Sequence, residues 1–216
     1  MRAWRSWWVL AAAGLILAAC RTDGERGEAA PAERVPGAPG AKAVGVGGAA
    51  VEEAVTTARV LAAVRDRAQA EVDAAKLAGQ RASSPDVKDY AVRALAESQA
   101  TLDALSDLVK AKKIDLSAPV VENDPVLRAD REAARETVDR LRTLSGTPFD
   151  AAYMTAERAA QAHLAHLAQI GPQASRDADV GNVLRTVGQQ ARDRMSKVLS
   201  ILPKACGGER PGWGAG

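Results

Sequence analysis

Aromatic side chains are scarce in this sequence: phenylalanine, tyrosine and tryptophan together make up 3% of its 216 residues. Three of the four tryptophans, Trp4, Trp7 and Trp8, lie in an N-terminal segment that we expect to be removed. The remaining chain must build its core mainly from alanine, leucine and valine. Sheets prefer β-branched and aromatic residues, whereas alanine and leucine are strong helix formers. The composition therefore predicts an all-α protein, and the length suits one domain.

Neither sign of charge dominates the sequence, which contains 29 lysines and arginines and 27 aspartates and glutamates. Loss of Arg2 and Arg5 with the N-terminal segment would leave 27 charges of each sign. A neutral chain exerts no long-range attraction on a phosphate backbone. We therefore predict no nucleic-acid partner.

The apolar run from Trp7 to Leu17 is too short to cross a bilayer, which takes roughly 20 residues as a helix. Arg2 and Arg5 precede this run, and small residues follow it. A positive start, a short apolar run and a small-residue end are typical of an export signal. Residues 1–19 are therefore predicted to be a signal peptide.

Leu17-Ala18-Ala19-Cys20 resembles a bacterial lipobox. The resemblance implies cleavage before Cys20, a diacylglyceryl thioether on its sulfur, and acylation of the new amino group as a further option. Two or more acyl chains give stable membrane attachment. Because Arg21 rather than aspartate follows Cys20, the resemblance favours the periplasmic face of the outer membrane. An ordinary secretory signal followed by a fortuitous cysteine is the alternative.

The composition divides the rest of the chain into a linker, a helical domain and a tail. Residues 20–50 are rich in glycine, proline and alanine, with almost no large apolar side chains. Such a segment buries too little surface to offset the entropy of ordering it, so we predict a flexible tether. Residues 204–216 have the same character and are predicted to be a disordered tail. The helical bundle domain is expected over 51–203.

Apolar residues spaced by threes and fours predict five helices within that domain. Ser84-Pro85 and Asp124-Pro125 are typical helix starts, while Gly171-Pro172 and Pro203 are expected to end helices. The predicted ranges are 51–82, 85–113, 125–144, 147–170 and 177–202. In the last two helices Ile170 and Met195 are assigned to the inward face. Four long amphipathic helices and one shorter, highly charged helix predict a four-helix bundle.

Two segments resemble an uncharacterised family of bacterial periplasmic and outer-membrane proteins that have a ferritin-like four-helix fold. The first segment, residues 77–88, reads Leu-Ala-Gly-Gln-Arg-Ala-Ser-Ser-Pro-Asp-Val-Lys and joins two helices. The second, residues 144–153, reads Leu-Ser-Gly-Thr-Pro-Phe-Asp-Ala-Ala-Tyr and begins a later helix. Glu71, just before the first segment, also fits the family. The similarity covers about 55–202 and implies a cell-envelope location.

The same resemblance implies three histidine positions that this chain does not keep. Relatives carry an Asp-His pair where this chain has Glu97-Ser98, and a histidine where it has Gln161. Many also carry a histidine on the last helix, where this chain has Asp193-Arg194. If those histidines have a metal or proton function in relatives, the resemblance implies that this chain has lost it.

Histidine is scarce, with only His163 and His166 in the whole sequence. Di-metal centres in ferritin-like bundles use Glu-x-x-His on two helices, and that motif is absent from the sequence. Two histidines three residues apart share a helix face and could bind zinc or copper beside a carboxylate such as Glu71 or Glu97. The alternative is that His163 is a core histidine with a satisfied ring nitrogen. We predict no metal site and keep His163, His166 and Glu71 as weak candidates.

No pattern in the sequence indicates a catalytic or cofactor-binding constellation, so we predict a protein that is not an enzyme and has no cofactor. The leading hypothesis is a lipid-anchored envelope domain with a binding or structural role and an unidentified envelope partner. One alternative is an altered ferritin-like metal-binding protein that uses His163 and His166. Another is a chaperone-like module whose charged helix 125–144 detaches to expose an apolar groove.

Overall fold

The computed structural model describes residues 46–207, so the predicted signal peptide, Cys20 and most of the linker lie outside the described residues. Residues 46–207 form six α-helices and no strand, which confirms the predicted all-α class. The helices are α1 Val46–Arg81, α2 Pro85–Lys112, α3 Pro119–Glu122, α4 Pro125–Arg142, α5 Gly146–Ala174 and α6 Ala178–Ala205. Within this range no helix has both the length and the apolarity needed to cross a bilayer.

The four long helices form a ring in which α1 packs on α2 and α5, and α6 packs on α5 and α2. Asp150, near the start of α5, bonds to Ser83 and Ser84 at the α1–α2 turn. Lys112, at the end of α2, bonds to Asp177 at the start of α6. Hence α1 and α6 run in one direction while α2 and α5 run in the other. One long crossover, made of α3 and α4, links the two hairpins, which is the ferritin-like connectivity.

Local sequence explains most helix starts. Pro85 and Pro125 occupy the first helical turn, where the missing N–H costs nothing. The Asp124 carboxylate accepts hydrogen bonds from the N–H groups of Val126 and Leu127 and so caps α4. Asp177 caps α6 in the same way. The predicted cap at Ser84 differs, because its side chain makes no capping bond.

Two helices continue through residues that were expected to end them. Pro172 lies inside the last turn of α5 and Pro203 inside the last turn of α6. Proline removes one backbone hydrogen bond and clashes with the preceding turn. This disruption matters less near a helix end than in its middle. Gly171 lets this last turn of α5 pack closely on α6, because a Cβ there would lie 2.3 Å from Leu184 Cδ1. The predicted tail therefore begins too early, since α6 extends to the buried Ala205.

The core consists of two apolar clusters, one in each half of the bundle, and both are rich in alanine, leucine and valine. The first joins the start of α1 to the ends of α2 and α5 and the start of α6, and includes Leu61, Val64, Leu105, Leu164 and Leu184. The second joins the end of α1 to the starts of α2 and α5 and the end of α6, and includes Ala78, Val87, Phe149, Tyr153 and Val198. Polar side chains fill the layer between the two clusters.

Two predicted inward positions are wrong. Ile170 is 40% exposed, and Met195 is only partly buried. The neighbouring Arg194 is buried instead. Arg194 lies in register on the buried stripe of α6, between Ala191 and Val198, and faces carboxylates from α1 and α5. These pairings offset the cost of burying its charge.

Candidate functional site: a buried ion-paired centre

Six buried polar side chains from all four long helices meet at the middle of the bundle. We call this set the polar centre: Glu71 from α1, Tyr90 and Ser98 from α2, Glu157 and Gln161 from α5, and Arg194 from α6. Each of them is at most 8% exposed. Buried polar groups at this density are stable only when they satisfy one another's hydrogen bonds.

Arg194 is the cation that joins the helices. Its Nη1 donates to Glu71 Oε2 at 2.9 Å and to Ser98 Oγ at 3.2 Å. Its Nη2 lies 3.5 Å from Glu157 Oε2. The Nε atom faces the partly exposed Glu97, whose Oε2 is 3.7 Å away. One planar guanidinium thus contacts carboxylates from three other helices, a geometry suited to arginine and not to lysine.

Glu71 is the better satisfied of the two buried carboxylates. Its Oε2 accepts hydrogen bonds from Ser98 Oγ at 2.7 Å and from Arg194 at 2.9 Å. Its Oε1 accepts from Gln161 Nε2 at 2.7 Å. Three donors, one of them charged, thus bond to the two oxygens of this carboxylate.

Glu157 has weaker partners. Tyr90 donates its hydroxyl to Glu157 Oε2 at 2.7 Å, but Gln161 Nε2 is 3.3 Å away and the guanidinium is 3.5 Å away. Burial, followed by the neighbouring Glu71 carboxylate, raises the pKa of Glu157 from its ordinary 4.5 to about 7. The two carboxylates are therefore not equivalent, and Glu157 is the one that holds a proton more readily.

Arg194 and the two tyrosines near Glu157, Tyr90 and Tyr153, each stay in one protonation state. Burial lowers the pKa of Arg194, but the Glu71 and Glu157 carboxylates outweigh it, so the net shift is upward and the guanidinium stays charged. Burial and Glu157 raise the pKa of both Tyr90 and Tyr153, so both hydroxyls stay neutral. Among residues 46–207 the Tyr153 hydroxyl and Gln161 Oε1 find no hydrogen-bond partner although both are buried.

The weak metal candidates from the sequence do not converge in the structure. Glu71 belongs to the polar centre, where it binds Arg194. His163 is on a different face of α5 and its Nε2 lies 3.7 Å from Asp130 Oδ2 on α4. Burial and Arg67 lower the pKa of His163, and His166 is exposed. In the described part of the chain, no group of three or more His, Cys, Asp or Glu side chains is arranged to hold a metal ion.

Sequence reasoning missed Arg194 and Glu157 as members of a site. The available signal was the resemblance, because it implies histidines in relatives at Glu97-Ser98, at Gln161 and, in many, at Asp193-Arg194. The structure brings Ser98, Gln161 and Arg194 around Glu71. Those positions therefore share one place in the fold, although the residues that occupy them here have no histidine chemistry.

A third buried carboxylate, Asp150, connects the two segments that carry the resemblance. Its two oxygens accept from the backbone N–H groups of Ser83 and Ser84, at 3.0 and 2.8 Å, and from Ser83 Oγ at 2.6 Å. Arg81 Nη1 also donates to the Leu144 carbonyl at 3.1 Å. Asp150 is 2% exposed, so these bonds are shielded from water. The contact fixes the start of α5 against the α1–α2 turn.

A charged surface cleft lies between α1 and α4, and we call it the α1–α4 cleft. It has a volume of about 390 Å³, and its charged lining consists of Asp66 and Asp73 from α1 and Arg131, Arg135, Asp139 and Arg142 from α4. The α1 side is acidic, and three of the four charged residues on the α4 side are arginines. It is separate from the polar centre, which faces the bundle interior.

The fold and the centre together define a class: a ferritin-like four-helix bundle whose interior is cross-linked by ion pairs. The model of the family described as "Domain of unknown function (DUF4142)" matches residues 45–198. The chain belongs to that family. No curated protein and no solved structure matches the chain.

Proposed function

We propose that this protein is a lipid-anchored helical domain of the bacterial cell envelope that acts by binding or by a structural role and not by catalysis. The observation that carries the non-catalytic part is the position of Arg194. Ferritin-like metal enzymes place inward-facing carboxylates around metal ions at the middle of the bundle. Here a guanidinium covalently attached to α6 pairs with the inward-facing carboxylates Glu71 and Glu157.

The anchored part of the proposal is supported by the lipobox-like sequence 17–20 and by the predicted tether that follows it. A protein held by acyl chains on Cys20 would present its helical domain at a distance set by the tether. A domain that is retained at a membrane and has an ion-paired interior is better suited to binding or to a structural role than to work as a freely diffusing enzyme.

Labelling of cells with palmitate tests the anchor. The full-length protein should incorporate label and sediment with membranes, and Cys20→Ala should lose both properties. Cys206→Ser is the matched control and should keep both. Mass spectrometry of an N-terminal peptide with an unlipidated Cys20 sulfur would contradict the proposal.

Assays of the purified domain test the non-catalytic part. We expect peroxide consumption and ferrous-ion oxidation no faster than with heat-treated protein. We also expect substoichiometric metal in untagged protein and no thermal shift on adding zinc, copper or iron. Stoichiometric metal whose binding is lost in His163→Ala would instead support the altered metal-binding alternative.

One structural observation favours the alternative in which α4 detaches from the bundle so that the domain binds a partner. In its 18 residues α4 buries only Leu127, Val138 and Leu141, and it leaves the α1–α4 cleft beside them. A helix with so few buried contacts separates from the bundle more easily than the others. A photo-crosslinking residue at Arg135 should capture an envelope protein, whereas one at the exposed Arg93 on α2 should not. Equal capture at both positions would remove this alternative.

A further inference from the structure

The charges of the polar centre do not balance. Two carboxylates, Glu71 and Glu157, face one guanidinium, Arg194, and all three are at most 8% exposed. The nearest additional ionisable group, Glu97, is also acidic and is partly exposed. An uncompensated charge at a buried position is expensive, and a carboxyl group ordinarily avoids that cost by taking up a proton. One more positive charge is therefore required to neutralise the polar centre.

We propose that the polar centre is a proton-binding site that holds one proton on Glu157 in the folded domain. The hydrogen-bond geometry assigns the proton to this carboxyl group. Glu71 receives three donors at 2.7 to 2.9 Å, including the guanidinium, whereas Glu157 receives only Tyr90 at a comparable distance. The less solvated carboxylate gains more from neutralisation.

All the groups around Glu157 agree with this assignment. Glu71 faces it from α1, Tyr90 from α2 and Arg194 from α6, while Tyr153 precedes it by one turn on α5. The tyrosines stay neutral because burial raises the pKa of each. Arg194 stays charged, so Glu157 is the member of the centre that exchanges a proton near neutrality.

The consequence is that the folded domain responds to the pH of its compartment. The pKa of Glu157 is raised on folding from an ordinary 4.5 to about 7. The stabilisation from proton binding is therefore fully present below about 4.5 and is lost as the pH rises through about 7. Because proton binding and folding are linked, the unfolding equilibrium constant can change by up to tenfold for each pH unit between about 4.5 and about 7.

Denaturant unfolding of the helical domain within the full chain, at pH 5 and at pH 8, tests the proposal. Glu157→Gln keeps the shape of the protonated group but cannot ionise. The unfolding constant of the wild type, divided by that of Glu157→Gln, should rise on the order of a hundredfold between the two pH values. The same ratio for Glu136→Gln, at an exposed position on α4, should stay constant. A constant ratio for Glu157→Gln would overturn the proposal.

Infrared spectroscopy gives a readout that does not depend on the variant being stable. The wild type at pH 6 should show the carbonyl stretch of a protonated, buried carboxyl group, and the band should titrate away as the pH rises. Absence of the band at pH 6 would overturn the proposal. A monovalent cation is the other possible source of the missing charge. Stabilisation of the wild type, but not of Glu157→Gln, when choline is replaced by sodium or potassium at constant ionic strength would identify that cation and overturn the proton assignment.

Discussion

The polar centre and the α1–α4 cleft contain similar side chains but differ in their access to water. In the centre the Arg194 and Glu71 side chains are 9% and 3% exposed, whereas in the cleft Arg142 and Asp139 are 60% and 66% exposed. Water and ions screen the exposed pair, so its attraction contributes little. In the buried centre each charge depends on its partner. The comparison teaches that the number of ion pairs says less about stability than the burial of each pair.

Removal of Arg194 should give the largest effect. Arg194→Met leaves Glu71 without its cation at a buried position, and breaking a buried pair in this way costs about 3–5 kcal/mol. Urea unfolding at pH 7 followed by circular dichroism measures the loss. Arg192→Met, on the exposed side of the same helix turn, is the matched control and should change stability by less than about 0.5 kcal/mol. Equal effects of the two substitutions would contradict the contrast between buried and exposed charge.

Asp150 extends the comparison to a buried carboxylate whose partners are mostly backbone groups. Asp150→Ala would leave the N–H groups of Ser83 and Ser84 without acceptors, at a cost of about 2–3 kcal/mol. Asp150→Asn retains one acceptor oxygen and should cost less than the alanine variant. Thermal unfolding of both variants checks this order. A cost below about 0.5 kcal/mol for Asp150→Ala would show that the junction contributes little.

Close packing gives an effect of intermediate size that involves no charge. Gly171→Ala would place a Cβ about 2.3 Å from Leu184 Cδ1, so the side chain or the helix must move. Overpacking of this kind typically costs about 1–3 kcal/mol. Gly79→Ala is the control, because a Cβ there meets nothing within 4 Å and alanine favours the helix. The control should be neutral or slightly stabilising in the same thermal assay.

The smallest effect is expected in the cleft. Arg142→Ala removes the exposed pair with Asp139 and should cost about 0.5 kcal/mol or less. The difference in the free energy of unfolding between the variant and the wild type should shrink from low to high salt, because salt screens the exposed pair. The Arg194→Met difference should persist at high salt. A cleft variant as damaging as Arg194→Met would break the comparison.

The sequence predicts the helices well because their signals are local. The apolar spacing of threes and fours and the Asp124-Pro125 start identify elements without reference to the rest of the fold. The expected stops at Gly171-Pro172 and Pro203 are wrong for a tertiary reason. Packing of Gly171 against Leu184 and burial of Ala205 favour continuation of each helix, and neither contact is visible along the chain.

The polar centre is much harder to predict, because its members are distant in sequence. Arg194 is 123 residues from Glu71 and 37 from Glu157. Hydrophobic periodicity assigns a charged residue to the outer face, so it selects Met195 as the inward residue and leaves Arg194 outside. Only the resemblance directs attention to Glu97-Ser98, Gln161 and Asp193-Arg194, and it does so without predicting what those residues bond to.

A double-mutant cycle between Glu71 and Arg194 tests the ion-paired centre most directly. The cycle compares Glu71→Met, Arg194→Met and the double variant by urea unfolding at pH 7. If the two side chains stabilise the bundle as a pair, the double variant should be more stable than the sum of the single effects predicts, by about 2 kcal/mol. Additive effects, within about 0.5 kcal/mol, would mean that each residue acts independently and that Arg194 does not hold the interior together.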